Sequence, residues 1–267
     1  MIRQAEISKT AYALGLSERT IEKDYVLTWV LHAIAQSPLR EFLAFKGGTA
    51  IKKIYVPDYR FSEDLDFTVL KGDTPTSDIL QWVESLFSWL AQDVNLQLAM
   101  DHQEEHQSGN FTLYLNYTGP LQAQMDKRTL KVDFSKDEDL VFPAEDRRVQ
   151  SSYSDCEALT SILKVYSMKE ILIEKLRSLL SRSEPRDLFD VYFIIEHQLV
   201  NVEEISFYCP PKFETKGLSP RDLHNILDRK AEVFKQYWHS RLDGQMNEIP
   251  EFDTVLRETR RILSNHF

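Results

Sequence analysis

Two runs in one short segment hold the residue types that a phosphate and a divalent metal require: Lys46-Gly47-Gly48-Thr49 and Arg60-Phe61-Ser62-Glu63-Asp64-Leu65-Asp66-Phe67. Gly47 and Gly48 lack a Cβ, so the backbone there can take positive φ and a ligand can come close. Thr49 to Tyr55 reads as a short helix with Ile51, Ile54 and Tyr55 on one side. A helix opening straight after two glycines aims free N–H groups at an anion over the turn, and the Thr49 hydroxyl adds a donor. Taken alone, Gly-Gly is a common turn between a strand (Phe42 to Lys46) and a helix. No Gly-Lys-Ser/Thr follows at P-loop spacing. Asp64 to Leu70 alternates and then turns apolar, as a strand does on entering a core. Residues two apart on a strand share a face, so Asp64 and Asp66 project together. Adjacent carboxylates repel unless a cation lies between them, and magnesium favours carboxylates with phosphate oxygens. An isolated Asp-x-Asp reads as a solvated strand end. With Gly-Gly-Thr upstream and Arg60 and Ser62 just before it, the expectation becomes a site for a nucleoside triphosphate with Mg2+.

A third acid, Asp133, sits between Val132 and Phe134 in the strand pattern Leu130 to Ser135. It is either a strand-end residue or a site residue; beside Asp64 and Asp66 it would complete a three-acid metal site. A separate constellation lies further on. Tyr166 to Ser181 contains no proline or glycine and carries Leu172, Leu176, Leu179 and Leu180 as an apolar stripe. Lys175 and Arg182 fall along another face of that helix. Ser183 reads as the N-cap of the next helix, with Glu184, Pro185, Arg186 and Asp187 as its first turn. A lysine and arginines gathered there suit a triphosphate, and Asp187 would orient Lys175 or act as a base. The plainer reading is a surface salt-bridge cluster, in which Arg186 pairs with Asp190 four residues on.

The supporting elements follow from pattern. Residues 1–40 read as helical, with Ser17 as an N-cap. Residues 42–153 mix helix and strand: a helix from Ser77 to Asp93, and strands at Val94–Met100, Phe111–Tyr117, Leu130–Ser135 and Arg147–Tyr153. Gly119-Pro120 marks a turn. Residues 155–267 read as nearly all helical, broken at Cys209-Pro210-Pro211 and Gly217–Pro220. The expectation is an α+β protein with a mixed β-sheet, N-terminal helices and a helical C-terminal domain, divided as 1–153 and 154–267.

Composition limits the classes. A chain of 267 residues with 42% hydrophobic content can bury one large core or two moderate ones. A formal net charge of −10 argues against broad non-specific nucleic-acid binding. Local basic spots remain at Lys52-Lys53, Arg128 with Lys131, Arg147-Arg148 and the Lys164 to Arg186 region. The 2 cysteines, Cys156 and Cys209, form neither a zinc pattern nor a disulfide framework. His102 and His106 frame a polar stretch that lacks the His-Glu-x-x-His order of a metalloprotease. With no apolar signal core and no membrane-spanning run, the chain reads as cytoplasmic with no membrane partner.

Together these residues resemble the nucleotidyltransferase superfamily, in which Gly-Gly/Ser, a short helix, Asp-x-Asp and a third acid on a nearby strand recur. The run Lys46 to Phe67 is most similar to the AbiEii/AbiGii toxin family. Ile21-Glu22-Lys23-Asp24-Tyr25-Val26-Leu27 resembles that family's N-terminal helical segment, and Lys169 to Asp190 its second-domain motif. The resemblance implies a nucleotidyltransferase core with a helical domain closing the nucleotide cleft. It implies catalytic roles for Ser62, Asp64, Lys175 and Asp187, and nucleotide binding at Gly47, Gly48, Thr49, Arg182 and Arg186. Mg2+ would be held at Asp64 and Asp66, with Asp133 the candidate third ligand. The implied activity moves NMP from an NTP to an acceptor hydroxyl as the toxin of a toxin–antitoxin or phage-defence pair. A tRNA would be the acceptor, and a cognate antitoxin the genetic partner, with no stable complex required. Two rivals keep the same core: a transferase acting on a small molecule or a protein, and a non-catalytic nucleotide-binding module.

Overall fold

A short run of alternating residues carries the logic of the sheet. In Thr129–Ser135, Leu130, Val132 and Phe134 are buried while Thr129, Lys131, Asp133 and Ser135 are half-exposed. One strand thus shows an apolar face and a polar one. A computed structural model of the chain describes residues 1–106, 109–136 and 138–267, with the backbone alone at His224. It divides into two compact units, Met1–Glu138 with Ala144–Tyr166, and Asp139–Pro143 with Ser167–Phe267.

The first unit begins with helices α1 (Gln4–Leu14), α2 (Glu18–Ala35) and α3 (Leu39–Phe42). The Ser17 side chain caps α2 by accepting from the Thr20 amide, as expected of that residue. Strand β1 (Leu43–Lys46) leads into α4 (Gly47–Ala50) and a π-helical turn (Ile51–Tyr55), then β2 (Asp64–Val69). Helix α5 (Thr76–Trp89), strands β3 (Gln97–Glu105), β4 (Phe111–Thr118), β5 (Thr129–Ser135), β6 (Glu145–Arg148) and β7 (Ile162–Val165) complete the unit. The sheet order is β3-β4-β5-β2-β1-β7-β6. It is mixed: β1 runs antiparallel to β2 but parallel to β7, and β2 runs parallel to β5.

An aromatic row fixes the register of its centre. Phe45, Phe67, Phe134 and Phe111 are direct cross-strand partners on β1, β2, β5 and β4. Their ring centroids lie 5.3, 5.8 and 4.6 Å apart in that order. All four are buried. Such pairs stabilise a sheet, and a slip by one residue would turn them out to solvent. Helix α2 is buried on nearly every side, its acids included. Glu22 accepts from the Leu121 amide at 2.8 Å and Arg128 Nε at 3.1 Å. Asp24 accepts from Lys53 Nζ at 2.6 Å and from the Tyr153 hydroxyl at 2.7 Å. The first of these bonds ties α2 to the turn behind Gly47, and the second ties it to the loop between β6 and β7.

The second unit holds α6 (Met168–Ser181), α7 (Pro185–Glu196), α8 (Val202–Glu214), α9 (Leu223–Leu242) and α10 (Phe252–His266). Its core includes Leu172, Leu176, Leu188, Phe213, Phe234, Trp238 and Val255.

Several expectations need adjusting. Strand β7 lies in the stretch read as helical, so the first unit runs past residue 153 to Tyr166. A four-residue apolar run carries too little periodicity to separate strand from helix. The strand expected at Arg147–Tyr153 ends at Arg148. Pro210 and Pro211 do not break a helix but lie inside α8. Pro210 has no N–H for the Ser206 carbonyl, and the Cys209 thiol donates to that oxygen at 3.8 Å instead. Ser183 does not cap α7; Glu184 stands at the N-cap without a side-chain bond, and Pro185 opens the helix.

Candidate functional site

The site grows from the row next to the aromatic one. Lys46, Asp66, Asp133 and Thr112 are cross-strand partners on β1, β2, β5 and β4. Two rows further on, Asp64 stands opposite Lys131. Because side chains alternate, these groups share the face opposite the phenylalanines. The aromatic register therefore sets which carboxylates meet.

The Gly-Gly-Thr turn packs against this face. Gly47 has φ +81°, and a Cβ there would collide with the Asp66 carboxylate. A Cβ on Gly48 would stand 2.9 Å from an Arg60 guanidinium nitrogen and 3.4 Å from Ser62 Oγ. Both glycines already belong to α4, so the helix starts two residues earlier than the sequence indicates. The Thr49 hydroxyl donates to the Asp64 carbonyl at 2.5 Å. It thus clamps the turn to β2. Arg60 is buried, with its guanidinium 5.4 Å from the Tyr59 ring. Lys46 Nζ donates to Ser135 Oγ at 3.3 Å.

Asp133 reaches the expected place, but both its oxygens are engaged. Thr112 Oγ1 donates to Oδ1 at 2.6 Å, and Lys131 Nζ to Oδ2 at 2.6 Å. Burial pulls the Lys131 ammonium down, but Asp133, with Asp64 and Asp66 behind it, outweighs this and holds it above the ordinary lysine value. Among the described residues no group of three or more His, Cys, Asp and Glu is arranged to hold a metal. The side-by-side pair Asp64 and Asp66 fits a divalent cation by its chemistry. Lys131 lies two residues before Asp133 on β5 and so shares its face.

In the second unit, Lys175 and Asp187 meet as expected. Lys175 Nζ lies 2.9 Å from Asp187 Oδ1 and 2.7 Å from Asp190 Oδ2. Arg182 forks onto Asp187, with Nε 2.6 Å from Oδ2 and a terminal nitrogen 3.0 Å from Oδ1. Burial pushes the Asp187 carboxyl up, yet Lys175 and Arg182 together hold it below the usual carboxylate range. Such a group is a poor base and a good anchor for a lysine. Asp190 is the residue missed here. The four-residue spacing suggested Arg186 as its partner; Arg186 bonds Glu184 at 3.3 Å. Asp190 lies three residues after Asp187 on α7, so the two carboxylates flank one ammonium.

The basic spots in the sequence are largely used internally. Lys53 is buried on Asp24. Lys52 is buried, donates to the carbonyls of Pro57 and Tyr59, and is pulled down by burial to about 8. Arg128 pairs with Glu22, and Arg147 with Glu145.

The family model described as "Nucleotidyl transferase AbiEii toxin, Type IV TA system" matches residues 29–258. Among curated proteins there is no significant match. Two solved structures are similar in fold. JHP933 from Helicobacter pylori is 18% identical, with a TM-score of 0.60 over 94% of this chain and 92% of that one. The nucleotidyltransferase toxin MenT4 from Mycobacterium tuberculosis is 14% identical, with a TM-score of 0.62 over 99% of this chain and 90% of that one.

Proposed function

Because the chain belongs to the AbiEii nucleotidyl transferase toxin family, we propose that it moves NMP from an NTP to a hydroxyl of tRNA, with Mg2+ held by Asp64 and Asp66. The observation that carries this reading is the shared face of Asp64 and Asp66 beside the Gly47 turn. An acceptor hydroxyl attacks the α-phosphorus, loses its proton, and pyrophosphate leaves. Bound there, Mg2+ would supply charge neutralisation at the triphosphate oxygens. Gly47 and Gly48 leave room for phosphate close to the backbone, and Ser62 stands beside Gly48. Lys175 is proposed as a catalytic cation of the second unit. Asp187 and Asp190 support that role by holding its ammonium from two sides. Arg182 and Arg186 are proposed to bind phosphate, each leaving a carboxylate partner to do so. A cognate antitoxin is the proposed genetic partner.

Incubation with each α-labelled NTP, Mg2+ and total cellular RNA tests the reading. Label should enter a tRNA-sized band and fall to background with Asp64→Asn or Asp66→Asn. Label on protein would move the acceptor to a protein. Label on neither would point to a small molecule, and full transfer by Asp64→Asn would remove the metal assignment.

A further inference from the structure

Lys131 lies on the carboxylate face, level with Asp64 on the neighbouring strand, and is bonded to Asp133. Three carboxylates on one face would call for more than one divalent ion. In two-metal transferases the ions stand about 3.5–4 Å apart and share bridging oxygens. Here one Asp133 oxygen is 2.6 Å from the Lys131 ammonium, and the other accepts from Thr112. The Thr112 bond holds the carboxylate in the orientation that meets Lys131. A second cation would have to sit against the ammonium, a like-charge contact that is unfavourable.

We propose that Lys131 is a built-in cation in the place of a second metal, so that this chain holds a single divalent ion, between Asp64 and Asp66. The inference rests on the metal reading of those two acids. Lys131 is a positioning residue in this arrangement. It fixes Asp133 and sets the number of ions without itself touching the reacting phosphorus.

The test uses Mn2+ titrated into the full chain and read by low-temperature electron paramagnetic resonance, which separates isolated ions from a spin-coupled pair. The wild-type chain should give one isolated Mn2+, lost in Asp64→Asn. Lys131→Met should admit a second ion and give a coupled-pair spectrum, while Lys131→Arg, which keeps the charge, should stay isolated. A coupled pair in the wild type would overturn the proposal without needing any variant to fold. A folded Lys131→Met that still shows one isolated ion would also overturn it. Failure of the underlying metal reading looks different: no bound Mn2+ in the wild type, or binding that Asp64→Asn leaves intact.

Discussion

Gly47 holds two constraints at one atom. Its φ of +81° is a backbone state that side chains disfavour, and the space a Cβ would need is filled by the Asp66 carboxylate. Gly109 shares the first constraint, with φ +78°, but has nothing within 4 Å of a Cβ. The pair separates strain from crowding. Gly47→Ala and Gly109→Ala should each lose about 1–2 kcal/mol from the left-handed backbone. Gly47→Ala should lose more, and should also lose nucleotide transfer because Asp66 is displaced. Thermal melts and the labelling assay read the two effects, and normal transfer by Gly47→Ala would show that Asp66 tolerates displacement. At this scale the site was partly legible. The types and spacing of Gly47, Asp64 and Asp66 were visible because strand alternation and glycine freedom are local rules. The bonds of Thr49, Asp133 and Asp190 to Asp64, Thr112 and Lys175 were not, because the fold alone brings those partners together.

Helix α2 shows the same limit for an element. Its cap at Ser17 was plain from the sequence, and so was its apolar character. Its burial on nearly all sides places His32 in the interior, where neither ring nitrogen has a partner among the described residues. Burial, reinforced by Lys53 and Arg148 and opposed by Asp155, lowers the imidazole from 6.5 to about 4. The unfolded chain therefore takes up a proton near pH 6.5 that the folded chain refuses until about 4. Stability present above pH 6.5 is lost as pH falls towards 4, by about 3 kcal/mol for this group. His32→Leu, which has no proton to gain, should flatten that part of the acid limb in urea melts taken from pH 7 to 4. An unchanged limb would place the acid sensitivity elsewhere. The short elements were the hard ones to foresee. β7 and the prolines of α8 depend on pairing and on a thiol donor that no local pattern announces.

For the whole molecule, the two units are not two consecutive stretches of chain, and this organisation was hidden in the sequence. Residues Asp139–Pro143 lie between β5 and β6 yet belong to the second unit. What draws them there is a buried ion pair. Lys212 and Glu170 have side chains 2% and 0% exposed and lie 2.6 Å apart. Glu170 also accepts from the amides of Val141 and Phe142, at 3.0 and 2.9 Å, and Lys212 donates to the Asp139 carbonyl at 2.9 Å. Removing one partner leaves the other charge stranded in the interior, a loss of about 3–5 kcal/mol. Lys212→Met keeps much of the apolar bulk and removes only the charge, so its cost should fall on this network. Hydrogen exchange should then speed up at the Val141 and Phe142 amides, because a protonated or displaced Glu170 is a poorer acceptor. Exchange at the amides of β2 and β5, in the other unit, should change much less. Unchanged exchange at Val141 and Phe142 would mean that Asp139–Pro143 is held by something other than this pair.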